Sequence, residues 1–191
     1  MIGMIKLKMM QHRMDRFKLD YCQFLTKEES SILFDELEKH ISKGNGRKAT
    51  LYGDDIFYQV QTQYTYGEYQ PLPWLPCLMD IKLKLEQFIK TQYDMMVTFN
   101  CCVVQRYSSG RVVIKAHRDK EMTEGTMICG ISLGQKRTLT MYKYKTPILS
   151  QPLDHGSLYL LLPPTNDFFA HSIPTDDSKQ VRISLTFRNK K

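Results

Sequence analysis

Arg182-Ile183-Ser184-Leu185-Thr186-Phe187-Arg188 alternates polar and apolar side chains without interruption. On a β-strand, residues two apart share a face, so Ile183, Leu185 and Phe187 belong to a core while Arg182, Ser184, Thr186 and Arg188 line something polar. Further up the chain, residues 98–104, 111–119, 126–133, 137–144 and 157–162 are similar short runs rich in Val, Ile, Thr, Tyr and Leu, divided by Gly, Pro, Asn or Asp. Before them the period changes. Thr26-Lys27-Glu28-Glu29 reads as a capping box, followed by Leu33, Leu37 and Ile41 at fourfold spacing and a stop at Gly44-Asn45-Gly46. Pro76 opens a second amphipathic helix with Leu78, Ile81, Leu85, Phe88 and Ile89 on one side. Helices first and evenly spaced short strands afterwards predict an α+β, mainly β fold. The expectation is an antiparallel double sheet of the jelly-roll or cupin kind, a double-stranded β-helix, with two N-terminal helices packed on one outer face.

At 191 residues and 42% hydrophobic, the chain can bury roughly 70% of the surface its unfolded form exposes, so one domain over residues 1–191 is expected. Residues 1–44 would form a basic segment and the first helix. Lys and Arg number 27 against 20 Asp and Glu, a formal +7, which attracts polyanions but equally describes ordinary solvated lysines. Cys22, Cys77, Cys101, Cys102 and Cys129 are odd in number and contain no C-x-x-C pair, which points away from a disulfide framework or a thiolate zinc site and suits a reducing interior. Cys101 and Cys102 are read as small buried hydrophobes on opposite faces of a strand. No apolar run approaches the ~20 residues that span a bilayer, so a soluble intracellular protein is expected, in nucleus or cytoplasm.

In Ala116-His117-Arg118-Asp119, a strand would turn His117 and Asp119 the same way, about 7 Å apart at Cα, and Arg118 elsewhere. Alone, such a pair is more often an ordinary hydrogen bond than a ligand set. His171, in Ala170-His171-Ser172, offers a third donor, and two imidazoles with one carboxylate make the facial triad of non-haem iron(II) oxygenases, with three positions open for a bidentate cosubstrate and dioxygen. The polar face of 182–188 adds a guanidinium on a rigid strand, which suits bidentate capture of the far end of a dicarboxylate.

These residues resemble the AlkB family of iron(II)- and 2-oxoglutarate-dependent dioxygenases, in particular the AlkB-homologue-2 branch of animal nucleic-acid demethylases. The likeness lies in His-x-Asp, a distant His, and Arg-x-(Asn/Ser)-x-Thr-Phe-Arg. It continues in Arg47-Lys48 to Tyr52-Gly53-Asp54, Tyr64-Thr65-Tyr66, Pro73-Trp74-Leu75-Pro76, Phe99-Asn100, Arg106-Tyr107, His117 through Glu121, His155-Gly156-Ser157-Leu158 and Pro164-Thr165-Asn166, or roughly residues 45 to 189. The resemblance implies His117, Asp119 and His171 as iron ligands. It implies Arg182 and Arg188 as partners of the 2-oxoglutarate carboxylates, with Tyr107 and Thr186 bonding the same molecule. Gln105 and Ser184 stand where the family more often has Asn.

For the substrate, the resemblance makes Tyr64, Thr65 and Tyr66 part of a lid over the target nucleotide and Glu121 a reader of the flipped base, while Lys120 departs from the acidic residue of close relatives. Aromatic faces stack on bases at roughly 1–3 kcal/mol each. Tyrosines at period two also simply make one side of an edge strand. Duplex-repairing relatives carry an aromatic wedge where this chain has Glu38-Lys39-His40, which predicts a preference for single strands. The basic cluster Lys136, Arg137, Lys143 and Lys145 could track phosphates or be a solvated sheet face. His12 and His40 are read as solvated and His155 as a turn residue. The implied function is oxidative demethylation of alkylated DNA or RNA by a monomer using iron(II), 2-oxoglutarate and dioxygen. A hydroxylase of a protein or small molecule, and an inactive nucleic-acid-binding relative, are the alternatives.

Overall fold

Thr26 and Glu29 build the first helix as their spacing predicts. The Glu29 amide donates to Thr26 Oγ1 (3.1 Å) and the Thr26 amide to Glu29 Oε2 (2.8 Å), satisfying two free donors at the start of α1 (Lys27–His40). Leu33, Leu37 and Ile41 are buried together as expected. The helix nevertheless stops before Ile41, whose backbone is extended while its amide still reaches the Leu37 carbonyl (3.1 Å). Gly44 and Gly46 serve the loop beyond it. The second helix, α2 (Pro76–Tyr93), carries Pro in its first turn and buries Leu78, Leu85 and Ile89 completely. Each such side chain contributes about 1.5–3 kcal/mol of transfer free energy.

The structure is a computed structural model that describes residues 9–54, 58–61, 66–120, 122–123 and 125–190; over 58–61 and 66–69 it describes the backbone. Its strands are β1 (Met10–Met14), β2 (Phe17–Gln23), β3 (Arg47–Gly53), β4 (Tyr58–Gln61), β5 (Tyr66–Tyr69), β6 (Cys101–Tyr107), β7 (Ile114–His117), β8 (Ile128–Gly134), β9 (Arg137–Lys143), β10 (Thr146–Leu153), β11 (Ser157–Leu161), β12 (Ala170–Ile173) and β13 (Arg182–Arg188). A short helix, α3 (Thr165–Phe168), precedes β12. Among the described residues, a seven-stranded sheet runs β1-β2-β11-β8-β13-β6-β3, a four-stranded sheet runs β10-β9-β12-β7, and β4 pairs with β5. All the paired strands are antiparallel.

The molecule has three layers. Ile183, Leu185 and Phe187 of β13 join Leu158, Leu160, Cys102 and Val104 in a core against α1 and α2. The other face of the large sheet gives Phe17, Leu19, Ile128 and Leu161 to a second core with Leu139, Met141 and Leu153 of the small sheet. The helices cover one outer face, and the predicted double sheet lies beneath them. Cys101 and Cys102 are both fully buried on opposite faces of β6, as read from the sequence.

The expectation needed correction in several parts. Strands do not simply follow the helices, since β3 edges the large sheet from between α1 and α2, β4 and β5 pair in the same interval, and β12, which carries His171, was not among the expected runs. The N-terminal segment is not merely basic, since β1 and β2 extend the large sheet. Its alternation is obscured by Asp20, a carboxylate fully buried beside Leu19, which accepts from Arg13 Nη2 (3.0 Å) and from the Tyr93 hydroxyl (2.6 Å) of α2. β10 was also missed, because Pro147 and Pro152 argue against a strand interior. It is an edge strand, where a missing N–H breaks no ladder.

Candidate active site

β13 and β6 run side by side, with Arg182 opposite Tyr107, Ser184 opposite Gln105 and Arg188 opposite Cys101. Alternation turns Arg182, Ser184, Thr186 and Arg188 toward the small sheet, where they line one cavity with Gln105, Tyr107, His117, Asp119 and His171. The polar face expected of 182–188 is thus a cavity wall. β12 and β7 bring the two histidines together directly: His171 pairs with His117 across the ladder, their rings 4.4 Å apart at the centroids.

His117, Asp119 and His171 each offer one donor atom, and these atoms lie within 4.8 Å of one another, the one such cluster among the described residues. His117 Nδ1–H donates to the Lys115 carbonyl (2.9 Å), leaving Nε2, 3.3 Å from Asp119 Oδ1, to face the other donors. β7 stops at His117, so Asp119 is not on the strand as expected. Asn166 replaces the ladder there: the Asp119 amide donates to its Oδ1 (3.0 Å) and its Nδ2 donates to the Asp119 carbonyl (2.8 Å). Arg118 points away, as alternation requires, and its guanidinium donates to the Asp167 carbonyl.

The charges are arranged for a cation. Burial alone would raise the Asp119 carboxyl, but Arg188 and the two histidines outweigh it and hold it below the usual carboxylate range. Burial pushes the His171 imidazole down to about 4, so it is neutral near pH 7. His117 is raised, chiefly by its hydrogen bond to Asp119. An anionic carboxylate and a neutral imidazole beside a second imidazole form a donor set that fits a divalent ion. His171 Nδ1 is buried with no hydrogen-bond partner among the described residues.

At the other end of the cavity, Arg182 is 1% exposed; its Nε donates to Ser132 Oγ (2.9 Å) and its Nη1 has no hydrogen-bond partner among the described residues. Burial pushes the Tyr107 phenol up, keeping it a donor, and it donates to Gln105 Oε1 (2.6 Å). An unpaired buried N–H costs about 1–3 kcal/mol, so this end fits an anionic ligand. Arg188 instead reaches Asp119 Oδ2 through Nη1 (2.6 Å), while its Nε has no such partner.

Of the substrate candidates, Lys120 is exposed beside Asp119 and Asn166, and Tyr66 lies on β5 with its backbone alone described. Tyr64, Thr65 and Glu121 lie outside the described residues. Sequence reasoning missed Ser132, Tyr159 and Asn166. Tyr159 lines the cavity, its hydroxyl pushed up to about 12 by burial, over Gly130, where a Cβ would meet the ring at 2.0 Å. Ser157-Leu158-Tyr159-Leu160-Leu161 is buried on both faces and shows no alternation, so no periodic signal marks it.

Arg137 was misplaced in the exposed basic cluster. It is 2% exposed, stacks 5.9 Å from the Tyr107 ring centroid and pairs with Asp176 Oδ2 (2.8 Å). Its Nη2 donates to the carbonyls of Val112 (2.9 Å) and Pro174 (2.6 Å). Lys136 pairs with Asp154 (2.8 Å), and Lys143 and Lys145 are exposed. His155 sits in a turn, accepting from the Gly134 amide (2.8 Å).

Comparison with known proteins agrees with this geometry. The sequence profile of the 2OG-Fe(II) oxygenase superfamily matches residues 21–188, beginning earlier than the motifs alone suggested. The chain is 29% identical to mouse DNA oxidative demethylase ALKBH2 over 92% of its own length and 81% of that protein, and 29% identical to the human protein over 92% and 74%. It is 31% identical to mouse alpha-ketoglutarate-dependent dioxygenase alkB homolog 3 over 65% of its length and 47% of that protein. The solved structure of OsALKBH1 superposes with a TM-score of 0.65 at 14% identity, covering 94% of this chain and 99% of that one, a likeness of fold. With this family match and the His117, Asp119 and His171 cluster, the chain belongs to the 2OG-Fe(II) oxygenase superfamily, is homologous to the AlkB-family proteins ALKBH2 and ALKBH3, and is a dioxygenase that uses iron(II), 2-oxoglutarate and dioxygen.

Proposed function

We propose that this dioxygenase is an oxidative demethylase of N-alkylated nucleobases in DNA or RNA, releasing succinate, carbon dioxide and formaldehyde. One observation carries the reading: a chain aligned over 92% of its length with DNA oxidative demethylases unites, in one cavity, a His117, Asp119 and His171 donor set with an anion-binding end at Arg182.

In this reading His117, Asp119 and His171 hold the iron. Iron held there would let dioxygen oxidise both partners, one oxygen atom going to 2-oxoglutarate as it becomes succinate and carbon dioxide and the other into an N-methyl C–H bond. The hydroxymethylated base then releases formaldehyde and keeps the hydroxyl proton on its nitrogen. Arg182 takes the far carboxylate of 2-oxoglutarate, and Tyr107, Thr186 and Gln105 give it hydrogen bonds and shape. Arg188 orients Asp119 through their 2.6 Å contact and keeps its Nε for the cosubstrate end nearest the metal. Tyr64, Thr65, Tyr66, Lys120 and Glu121 contact the target nucleotide.

We also assign single strands as the preferred substrate, handled by a single-domain monomer. Where duplex-repairing relatives carry a wedge, Glu38 here binds Arg106 Nε (2.6 Å), while Lys39 and His40 pair with Glu36 (2.6 and 3.2 Å). Those contacts leave no apolar side chain to hold open a stack, and unstacking costs a few kcal/mol. Free cysteines support an intracellular setting, and no helix among the described residues is long and apolar enough to cross a membrane.

The test is to incubate the protein with iron(II), ascorbate, 2-oxoglutarate and a panel of methylated DNA and RNA oligonucleotides, reading product masses. Methyl loss that is faster on single strands is expected. Succinate formation with no methyl loss from any oligonucleotide would overturn the reading in favour of a protein or small-molecule hydroxylase.

A further inference from the structure

The β9–β10 hairpin turns through Tyr144, whose φ is +58° and whose side chain is 89% exposed. A left-handed backbone at a turn suits glycine or asparagine, and a bulky side chain there is strained. The tyrosine gives nothing to the core, and its neighbours Lys143 and Lys145 are both exposed. A strained, solvated aromatic between two cations is a feature the fold does not need.

Across from it lies the β1–β2 turn. Arg16, also left-handed with φ +57°, holds its guanidinium carbon 4.6 Å from the ring centroid of Phe168, which is 46% exposed. Between the two turns runs a groove of about 500 Å³ lined by Arg16, Arg118, Lys143, Tyr144 and Phe168, with Asp15 as the one carboxylate among its described lining residues. Its lining residues Arg118 and Ala170 are the chain neighbours of His117, Asp119 and His171 but turn to the outward side of the same segments, so the groove runs along the outside of the wall that holds the iron ligands.

We propose that this groove holds the single-stranded nucleic acid flanking the base in the active site, with Tyr144 as the platform on which one flanking base stacks. The proposal rests on the demethylase reading and gives it a binding surface. Cations spaced around a concave groove match phosphates along a strand, and exposed aromatic faces match bases of any sequence.

The experiment measures fluorescence anisotropy of a labelled, unmodified single strand of about ten nucleotides. Tyr144→Ala and Tyr144→Gly should each weaken binding about fivefold or more. Tyr144→Gly should meanwhile stabilise the fold, because it relieves the turn, so weaker binding cannot be blamed on unfolding. The pair Arg16→Glu with Lys143→Glu should weaken binding and flatten its dependence on salt. Succinate formed without nucleic acid should not change in any variant. Wild-type affinity in Tyr144→Gly and in the charge-reversal pair would overturn the proposal. So would polyglutamate binding as tightly and losing as much on substitution, since the groove would then be a general polyanion surface. If the variants lose nucleic-acid binding but the wild type demethylates no oligonucleotide, the groove stands and the demethylase reading falls.

Discussion

Arg182 and Arg188 leave the same face of β13 and meet different partners. Arg188 is neutralised by Asp119, whereas Arg182 is held by a serine hydroxyl and a tyrosine face, which leaves its charge for a ligand. Arg182→Lys keeps the charge but loses the planar fork. The Michaelis constant for 2-oxoglutarate should rise about tenfold or more with little change in kcat, the equivalent of one charge-assisted bond at about 1.5–3 kcal/mol, as read from succinate formation. Asp119→Ala should abolish iron-dependent turnover and lower bound iron measured by elemental analysis, with an unchanged circular dichroism spectrum.

At the scale of elements, the helices and the loops are tied by different chemistry. Glu29 caps α1 and also pairs with Lys84 of α2 (2.6 Å), and its carboxyl is lowered first by Lys84 and then by the Thr26 amide. A depressed carboxylate contributes stability that is complete above its unfolded pKa and is lost as pH falls through its folded one. The stability gap between wild type and Glu29→Gln in urea unfolding should therefore shrink between about pH 6 and about pH 3. Arg137 latches two loops, 108–112, which leads to His117, and 174–180, which joins His171 to Arg182. Gly110 lies so close to Asp176 that a Cβ would come within 1.7 Å of its Oδ1. Arg137→Met should cost on the order of 3 kcal/mol in urea unfolding and expose both loops to limited proteolysis, because several carbonyls lose a charged donor.

For the whole molecule, the three layers leave little thiol at the surface. Cys22 is pushed up to about 12 by burial, Cys102 and Cys129 are raised well above the ordinary value for the same reason, and Cys101 is fully buried. At about pH 8 a thiol reagent should label at most Cys77 in the native protein and all five cysteines in denaturant, as counted by mass spectrometry. The layers also mark the boundary of what sequence could reveal. Strand alternation, the capping box and the spacing of His117, Asp119 and Arg182 to Arg188 are local or short-range patterns, so the sequence by itself determined the mainly β fold, the paired helices and the candidate ligands. Tertiary structure alone decided that Arg137 is an internal latch, that Asn166 pins Asp119, that Tyr159 walls the cavity, that Asp20 is buried in a strand and that Tyr144 faces a basic groove. Each of these depends on which surfaces distant segments bring together, and neither residue type nor period carries that information.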